Sequence, residues 1–236
     1  MRRSQPGERL SQLLDAATRV FMRLGYRRAR VAGIAREMGV APGTVYLYVE
    51  SKEALFALVL QRALGEEDLP ADLPVPSPAL GALLEYVRRQ CFHTGQLPAL
   101  AQALAGEPPA DARAEFEAII RELYAWINQR WQALQLLARS AEDWPELADV
   151  YYHQERRRLI QVLTDYLDRR IGPRRLRSMP DTVTAARLIL ETIAWFAYHR
   201  YTDRDASLIS EKMARETVVT VLVNAFTFDE AKNRGV

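Results

Sequence analysis

Apolar residues recur at intervals of three and four positions along most of the chain, which is the spacing of one face of an α-helix. Between residues 8 and 24 this face consists of Leu10, Leu13, Leu14, Ala17, Val20, Phe21 and Leu24. The same spacing predicts short helices at about 31–38 and 42–48, and a fourth helix after Ser51, whose hydroxyl is suited to N-capping. No alternating pattern typical of a β-strand is found, so the sequence predicts an all-α fold.

A proline-rich segment separates the first four predicted helices from the rest. Residues 65–78, GEEDLPADLPVPSP, contain four prolines and no helical periodicity, which is typical of a connector between domains. We therefore predict a small domain over 1–50, a connecting helix over 51–64, a linker over 65–78 and a larger helical domain over 79–236. In the larger domain the pattern predicts helices near 79–93, 97–105, 111–140, 145–171, 182–202 and 206–227.

The composition is that of a globular protein, with 49% hydrophobic and 26% charged residues. The longest apolar stretch, LILETIAWFAY, is interrupted by Glu191 and is too short to span a bilayer. The chain has one cysteine, Cys91, which has no internal disulfide partner. We therefore expect a reduced, cytoplasmic protein without a membrane partner.

Basic residues are concentrated near the N-terminus. Residues 1–64 hold eleven Lys and Arg against five Asp and Glu, whereas the whole chain holds 32 against 30. Such an imbalance favours contact between this end of the chain and a polyanion.

Ala35, Gly39 and Val45 have the spacing of a helix-turn-helix. This motif needs a small residue where two helices cross, a residue that tolerates positive φ in the turn, and a branched apolar residue packed beneath. With Val45 facing inward, the rest of the short helix presents Thr44, Tyr46, Leu47 and Tyr48.

Hydroxyl groups on such a helix suit phosphate oxygens and base edges, and Lys52, further along, would add a phosphate contact. In the alternative interpretation, Tyr46 and Tyr48 cover the core of the small domain and Lys52 is a solvated surface residue.

Residues 25–56, GYRRARVAGIAREMGVAPGTVYLYVESKEALF, resemble the N-terminal DNA-binding domain of the TetR family of transcriptional regulators. The matching features are Gly25-Tyr26, Ile34-Ala35, Gly39-Val40, Gly43-Thr44-Val45-Tyr46 and Ser51-Lys52-Glu53-Ala54-Leu55-Phe56. The resemblance implies a dimeric repressor whose third helix enters the major groove of double-stranded operator DNA. The family often has threonine where this chain has Arg30-Val31, so we expect Arg30 to replace a hydroxyl–phosphate bond. The predicted DNA-binding residues are Arg30, Pro42, Gly43, Thr44, Tyr46, Leu47, Tyr48 and Lys52, with Arg27 and Arg28 near backbone phosphates.

The resemblance also implies that the larger domain dimerises and senses a ligand. The last two predicted helices are apolar on more than one side, which indicates one packing partner in their own chain and another elsewhere. The predicted homodimer interface comprises Thr192, Phe196, Met213, Val218, Val221, Leu222 and Ala225. Alternatively, both helices are central in the core of a monomer.

Aromatic residues gather in the larger domain, as in a pocket for an apolar or aromatic small-molecule effector. The predicted pocket residues are Tyr86, Trp126, Tyr151, Trp195 and His199. Aromatic residues at helical spacing are more often plain core, which is the alternative interpretation of these five residues.

Catalytic and metal-binding motifs are missing from the sequence. His93, His153 and His199 are isolated, and there is no nucleophile elbow, phosphate-binding loop or dinucleotide fingerprint. We therefore expect no enzyme and no cofactor. The sequence favours a repressor of operator DNA that is released by a small molecule. The alternative is a helical small-molecule-binding or scaffold protein without DNA binding.

Overall fold

The computed structural model describes residues 6–66, 68, 70–90 and 96–228. These ranges contain twelve α-helices and no β-strand, which confirms the predicted all-α fold. The helices are α1 (Pro6–Arg28), α2 (Val31–Met38), α3 (Pro42–Val45), α4 (Lys52–Ala63), α5 (Leu80–Gln90), α6 (Pro98–Ala105), α7 (Ala112–Gln129), α8 (Trp131–Ala141), α9 (Pro145–Ala148), α10 (Arg157–Ile171), α11 (Thr182–Ala197) and α12 (Glu211–Phe226). The described residues also contain a π-helical segment, Asp149–Arg156, and the 3₁₀ turns His199–Tyr201 and Ala206–Leu208. Cys91 and His93 lie outside the described residues.

None of the described helices is long and apolar enough to cross a membrane.

The chain divides into two compact units. Unit 1 comprises Met1–Cys91 and Gln132–Gln154, and unit 2 comprises Phe92–Trp131 and Glu155–Val236. The predicted boundary at the linker, residues 65–78, does not coincide with this division. Unit 1 also includes α5 and most of α8, and the Tyr26 N–H of α1 donates to the Ser140 hydroxyl of α8 (3.1 Å).

The linker is attached to the small domain by backbone hydrogen bonds. The Val75 N–H donates to the Tyr48 carbonyl (2.9 Å), and the Glu50 N–H donates to the Val75 carbonyl (2.9 Å). The Ser77 N–H donates to the Glu50 carboxylate (3.1 Å). Residues 75–77 therefore pack along the turn that follows α3.

An aromatic cluster fills the centre of unit 1. The Tyr26 ring centroid lies 5.1 Å from Phe56 of α4 and 4.5 Å from Trp144 after α8. Phe21 of α1 meets Phe56 edge-on at 5.2 Å. Contacts of this kind add about 0.5–1.5 kcal/mol each beyond the area that the rings bury. The cluster thus fixes α1, α4 and the segment after α8 to one another.

Gly25 interrupts α1. It has φ 75° and ψ 171°, after which the chain resumes helical geometry as far as Arg28, whereas the sequence predicted that the helix ends at Gly25. A Cβ at this position would lie 2.7 Å from the Arg139 carbonyl oxygen. Glycine is therefore required both by the backbone conformation and by the close approach of α8.

Unit 2 is centred on α7, α10, α11 and α12, which pack against one another. A buried ion pair joins two of these helices, since the Arg170 guanidinium donates to both Glu115 carboxylate oxygens (2.7 and 3.0 Å). The same guanidinium donates to the Ala103 carbonyl of α6 (2.6 Å). Because these partners are all supplied inside unit 2, the charge is accommodated in the core.

Several predicted helices differ from the structure. The helix predicted over 182–202 ends at Ala197 and is followed by a 3₁₀ turn, and the helix predicted over 42–48 ends at Val45. The helix predicted over 111–140 is interrupted at Arg130, where the chain passes from one unit to the other. The helix predicted over 145–171 contains the π-helical segment. The helix predicted over 206–227 begins at Glu211, because the Ser210 hydroxyl accepts the Met213 N–H as an N-cap.

Gly25→Ala is expected to destabilise unit 1 by about 3 kcal/mol or more, because alanine is strained at this φ and ψ and its methyl group meets a backbone oxygen. Gly33→Ala is the matched control, since a Cβ there meets no atom within 4 Å and the position is inside α2. The control should be stabilised by about 0.5–1 kcal/mol. Urea denaturation measures both changes, and a destabilisation below about 1 kcal/mol for Gly25→Ala contradicts the assignment.

Candidate nucleic-acid interface

The structure builds the helix-turn-helix from the residues whose spacing predicted it. Gly39 ends α2 in the left-handed conformation, with φ 75° and ψ 30°. The Val40 N–H donates to the Ala35 carbonyl (2.9 Å), which closes the turn. Ala35 and Val45 are buried where α2 and α3 cross.

One side of α3 and its flanks is open to solvent, and we name it the reading face. It consists of Ala41, Pro42, Gly43, Tyr46 and Leu47. The Tyr46 side chain is 49% exposed and that of Leu47 is 66% exposed. Four predicted DNA-binding residues, Pro42, Gly43, Tyr46 and Leu47, thus share one surface, and Thr44 lies partly exposed beside them.

Tyr48 and Lys52 lie inside unit 1 rather than on the reading face. Tyr48 is buried. The Lys52 ammonium donates to the carbonyls of Tyr26 (3.0 Å) and Ala29 (3.1 Å), and it lies 4.4 Å from the centroid of the Tyr26 ring. Burial lowers the pKa of Lys52 from its ordinary value. In this arrangement Lys52 satisfies carbonyls at the end of α1.

Two arginines at the ends of α2 are exposed and make no ion pair or hydrogen bond among the described residues. Arg30 precedes α2 and Arg36 lies in its last turn. Arg30 was predicted from the sequence, whereas Arg36 was missed. The sequence pattern that could have identified Arg36 is the amphipathic character of α2, because Arg36 directly follows buried Ala35 and lies on the exposed side of the helix.

Carboxylates of unit 1 engage Arg27 and Arg28. Arg28 pairs with Glu142 (3.2 Å) and Asp143 (3.1 Å), and Arg27 lies 3.7 Å from Glu146. The predicted contacts of Arg27 and Arg28 with DNA phosphates would therefore compete with these ion pairs inside unit 1.

A hydrogen-bonded pair joins the end of α1 to the start of α4. The Tyr26 hydroxyl donates to the Glu53 carboxylate, and this bond holds the pKa of Glu53 below its usual range. Burial raises the pKa of the Tyr26 hydroxyl, so tyrosine remains the donor. The Ser51 hydroxyl accepts the Ala54 N–H (3.1 Å) as the N-cap of α4, as predicted from the sequence.

The predicted dimer residues occupy two sides of the last helices of unit 2. Val218 and Leu222 are buried within the unit, and Thr192 and Phe196 are half-buried. Met213 is 61% exposed, Val221 is 56% exposed and Ala225 is exposed.

The exposed residues continue onto α11 at Leu188, beside a groove of about 430 Å³ that Ala225 and Phe226 also line. An apolar surface therefore remains on α11 and α12 after the core of unit 2 is complete.

The predicted pocket residues are divided between the two units. Tyr86 and Tyr151 belong to unit 1, and Trp126, Trp195 and His199 belong to unit 2. Trp126 is buried and its indole N–H donates to Gln96 (3.0 Å). Burial lowers the pKa of His199, which favours a neutral imidazole.

The fold and the reading face together define a helix-turn-helix DNA-binding domain. The family model described as "Bacterial regulatory proteins, tetR family" matches residues 13–59, so this segment is similar to the DNA-binding domain of that family of transcriptional regulators. The Fatty acid metabolism regulator protein of Bacillus subtilis is 38% identical over 55 residues, which are 23% of this chain and 28% of that protein. The chain thus matches less than a third of the length of this curated relative.

Two solved structures have the same fold over nearly the whole chain. The ketosteroid transcriptional regulator KstR2 of Mycobacterium tuberculosis has a TM-score of 0.58 at 15% identity, over 95% of this chain and 98% of that one. AibR in complex with isovaleryl coenzyme A and operator DNA has a TM-score of 0.54 at 13% identity, over 93% and 100%.

Tyr26→Phe is expected to destabilise the protein by about 1.5–3 kcal/mol at pH 7, because it removes a hydrogen bond to a charged group. The pKa of Glu53 is depressed in the folded state, so its contribution is complete above the unfolded carboxyl pKa. That contribution disappears as the pH falls through the folded pKa. The stability difference from the wild type should therefore shrink as the pH falls below about 4.3.

Urea midpoints measured from about pH 7 to about pH 2 check this dependence. Tyr46→Phe is the matched control, because the exposed Tyr46 hydroxyl has no protein partner among the described residues and its removal should leave stability unchanged. A stability difference for Tyr26→Phe that stays constant over the whole range contradicts the role of Glu53.

Proposed function

We propose that this protein is a homodimeric repressor that binds operator DNA through α3 and is released by a small molecule bound in unit 2. The observation that carries the DNA-binding part is the exposed reading face of α3, together with Arg30 and Arg36, which are exposed at the ends of α2 and without partners among the described residues. Arginine side chains on the flanks hold the phosphate backbone, and the face between them meets the base edges.

Two-fold assembly suits both DNA and the surface of unit 2. A dimer presents two heads to half-sites about one or more helical turns apart. Met213, Val221 and Leu188 leave an apolar surface on α11 and α12, and pairing two copies would remove it from water. The support for the dimer is thus the exposure of these side chains.

The effector part of the proposal rests on fold and relatives. AibR, which has the same fold, is described in complex with isovaleryl coenzyme A and operator DNA. The B. subtilis relative is named as a regulator of fatty acid metabolism. We propose that an apolar or aromatic small molecule binds unit 2 here and favours a conformation whose heads no longer match the half-sites.

The alternative function, a helical binding or scaffold protein without DNA contact, explains the reading face less well. Such a protein would have no need to keep α3 exposed or to leave two arginines at the ends of α2 available for phosphates. A scaffold contact through apolar residues would also lack the steep salt dependence that phosphate binding produces.

Footprinting on the DNA upstream of the protein's own gene, at two salt concentrations, tests the proposal. We expect a protected palindrome whose affinity falls steeply with salt, because phosphate contacts displace counterions. Arg30→Ala and Arg36→Ala should each weaken binding and reduce the salt slope by about 0.9 for each phosphate that the arginine neutralises in the wild type. Arg28→Ala is the control and should change the slope less, since its guanidinium is paired within unit 1.

The absence of sequence-selective protection there and in a genome-wide binding assay would exclude the regulator. If all three alanine variants change the salt slope equally, the ion pairs that Arg28 makes with Glu142 and Asp143 are broken when the protein binds DNA.

Val221→Glu is expected to convert the dimer into a monomer and to weaken operator binding, because a carboxylate would be buried in an apolar contact. Sedimentation equilibrium measures the assembly state. Leu47→Glu places the same carboxylate on an exposed leucine of the reading face, and it should remain dimeric. If the Val221→Glu protein stays dimeric, the dimer interface does not include Val221 and must lie elsewhere.

A further inference from the structure

The reading face differs chemically from the side chains that most often recognise bases. It offers the methyl group of Ala41, the ring of Pro42, the bare backbone of Gly43 and the large side chains of Tyr46 and Leu47. None of these is charged and none carries an amide. The exposed arginines without partners among the described residues, Arg30 and Arg36, lie at the start and end of α2.

Each base presents a different pattern in the major groove. Guanine is read by arginine or lysine, adenine by asparagine or glutamine, and cytosine by a carboxylate, whereas thymine adds a methyl group that takes apolar contacts. The reading face contains none of the side chains for the first three patterns. Its exposed leucine matches only the methyl group of thymine.

Leu47 has no role in the core that would explain an apolar residue at this place. It is 66% exposed, although neighbouring Tyr48 and Val49 are buried. A leucine that is left in water on the surface facing DNA gains free energy only when a partner covers it.

Gly43 provides independent support for a close approach of DNA. It has helical backbone geometry in α3, and a Cβ at this position would meet no atom within 4 Å. Neither the backbone nor the packing of unit 1 therefore requires glycine. Its missing side chain lets a base pair come close to the helix, which brings thymine methyl groups within reach of the neighbouring side chains.

We infer that α3 selects its operator mainly through thymine methyl groups, with Leu47 as the principal contact, and that hydrogen bonding to purine edges is secondary. The inference rests on the proposed DNA binding and specifies the chemistry that the site recognises. Arg30 and Arg36 then supply affinity without sequence information.

Replacing thymine with uracil tests this inference, since the exchange removes the methyl group and leaves the pairing edge unchanged. Wild-type protein first selects duplexes from a random-sequence library. The selected duplex is then synthesised with thymine or with uracil at one position at a time. Affinity should fall about fourfold at each contacted thymine, the equivalent of about 0.8 kcal/mol for a methyl group removed from water.

Leu47→Ala gives the second half of the test. At one position of the duplex, the thymine-to-uracil exchange should weaken wild-type binding about as much as Leu47→Ala weakens binding to the thymine duplex. Uracil at that position should not weaken the binding of Leu47→Ala any further. Leu208→Ala is the matched control, because that leucine is 95% exposed and belongs to unit 2, whereas the reading face belongs to unit 1. The control should show the same sensitivity to uracil as the wild type.

The outcomes separate this inference from the proposed function. If no sequence is enriched from the library, the DNA-binding proposal itself is wrong. If a sequence is enriched but binds equally well with uracil at every position, the thymine inference is wrong and the regulator stands. If uracil weakens Leu47→Ala as much as the wild type at every position, Leu47 is not the contact.

Discussion

The Tyr26 side chain lies between Phe56 and Trp144, and its hydroxyl donates to the Glu53 carboxylate. Its backbone N–H donates to the Ser140 hydroxyl (3.1 Å), and its carbonyl accepts the ammonium of Lys52. Tyr26, near the end of α1, thus connects this helix to α4, to α8 and to the segment after α8 through its ring and its polar groups. Because α2 begins at Val31, shortly after Tyr26, and α3 follows α2 through a tight turn, the direction of the reading face depends on how Tyr26 is held.

The local parts of this arrangement were predictable, because they depend on spacing along the chain. Ala35, Gly39 and Val45 specify the crossing and the turn by size and backbone freedom alone, and Ser51 specifies the start of α4. The family resemblance placed the reading face for the same reason. It covers the segment in which contacts are made between residues close in sequence.

The parts that the sequence did not reveal depend on residues far apart in the chain. Ser140 and Trp144 reach Tyr26 across more than one hundred residues, and no periodicity indicates such a contact. Lys52 was expected to contact phosphates because it follows the third helix closely and matches a contact position of the family that the segment resembles. The charge count of residues 1–64 overstates what this segment offers to DNA, because Arg27, Arg28 and Lys52 are engaged inside unit 1.

The attachment of Val75 to the turn after α3 has a consequence for exchanging parts between regulators. A hybrid that joins this DNA-binding segment to a foreign effector domain at residue 64 would cut away the strand-like bonds to Tyr48 and Glu50. It would also lack Ser140 and Trp144, the neighbours of Tyr26. The transferable module is therefore discontinuous in sequence: it extends to residue 78 and also needs a replacement for the segment from Ser140 to Trp144, which packs on Tyr26.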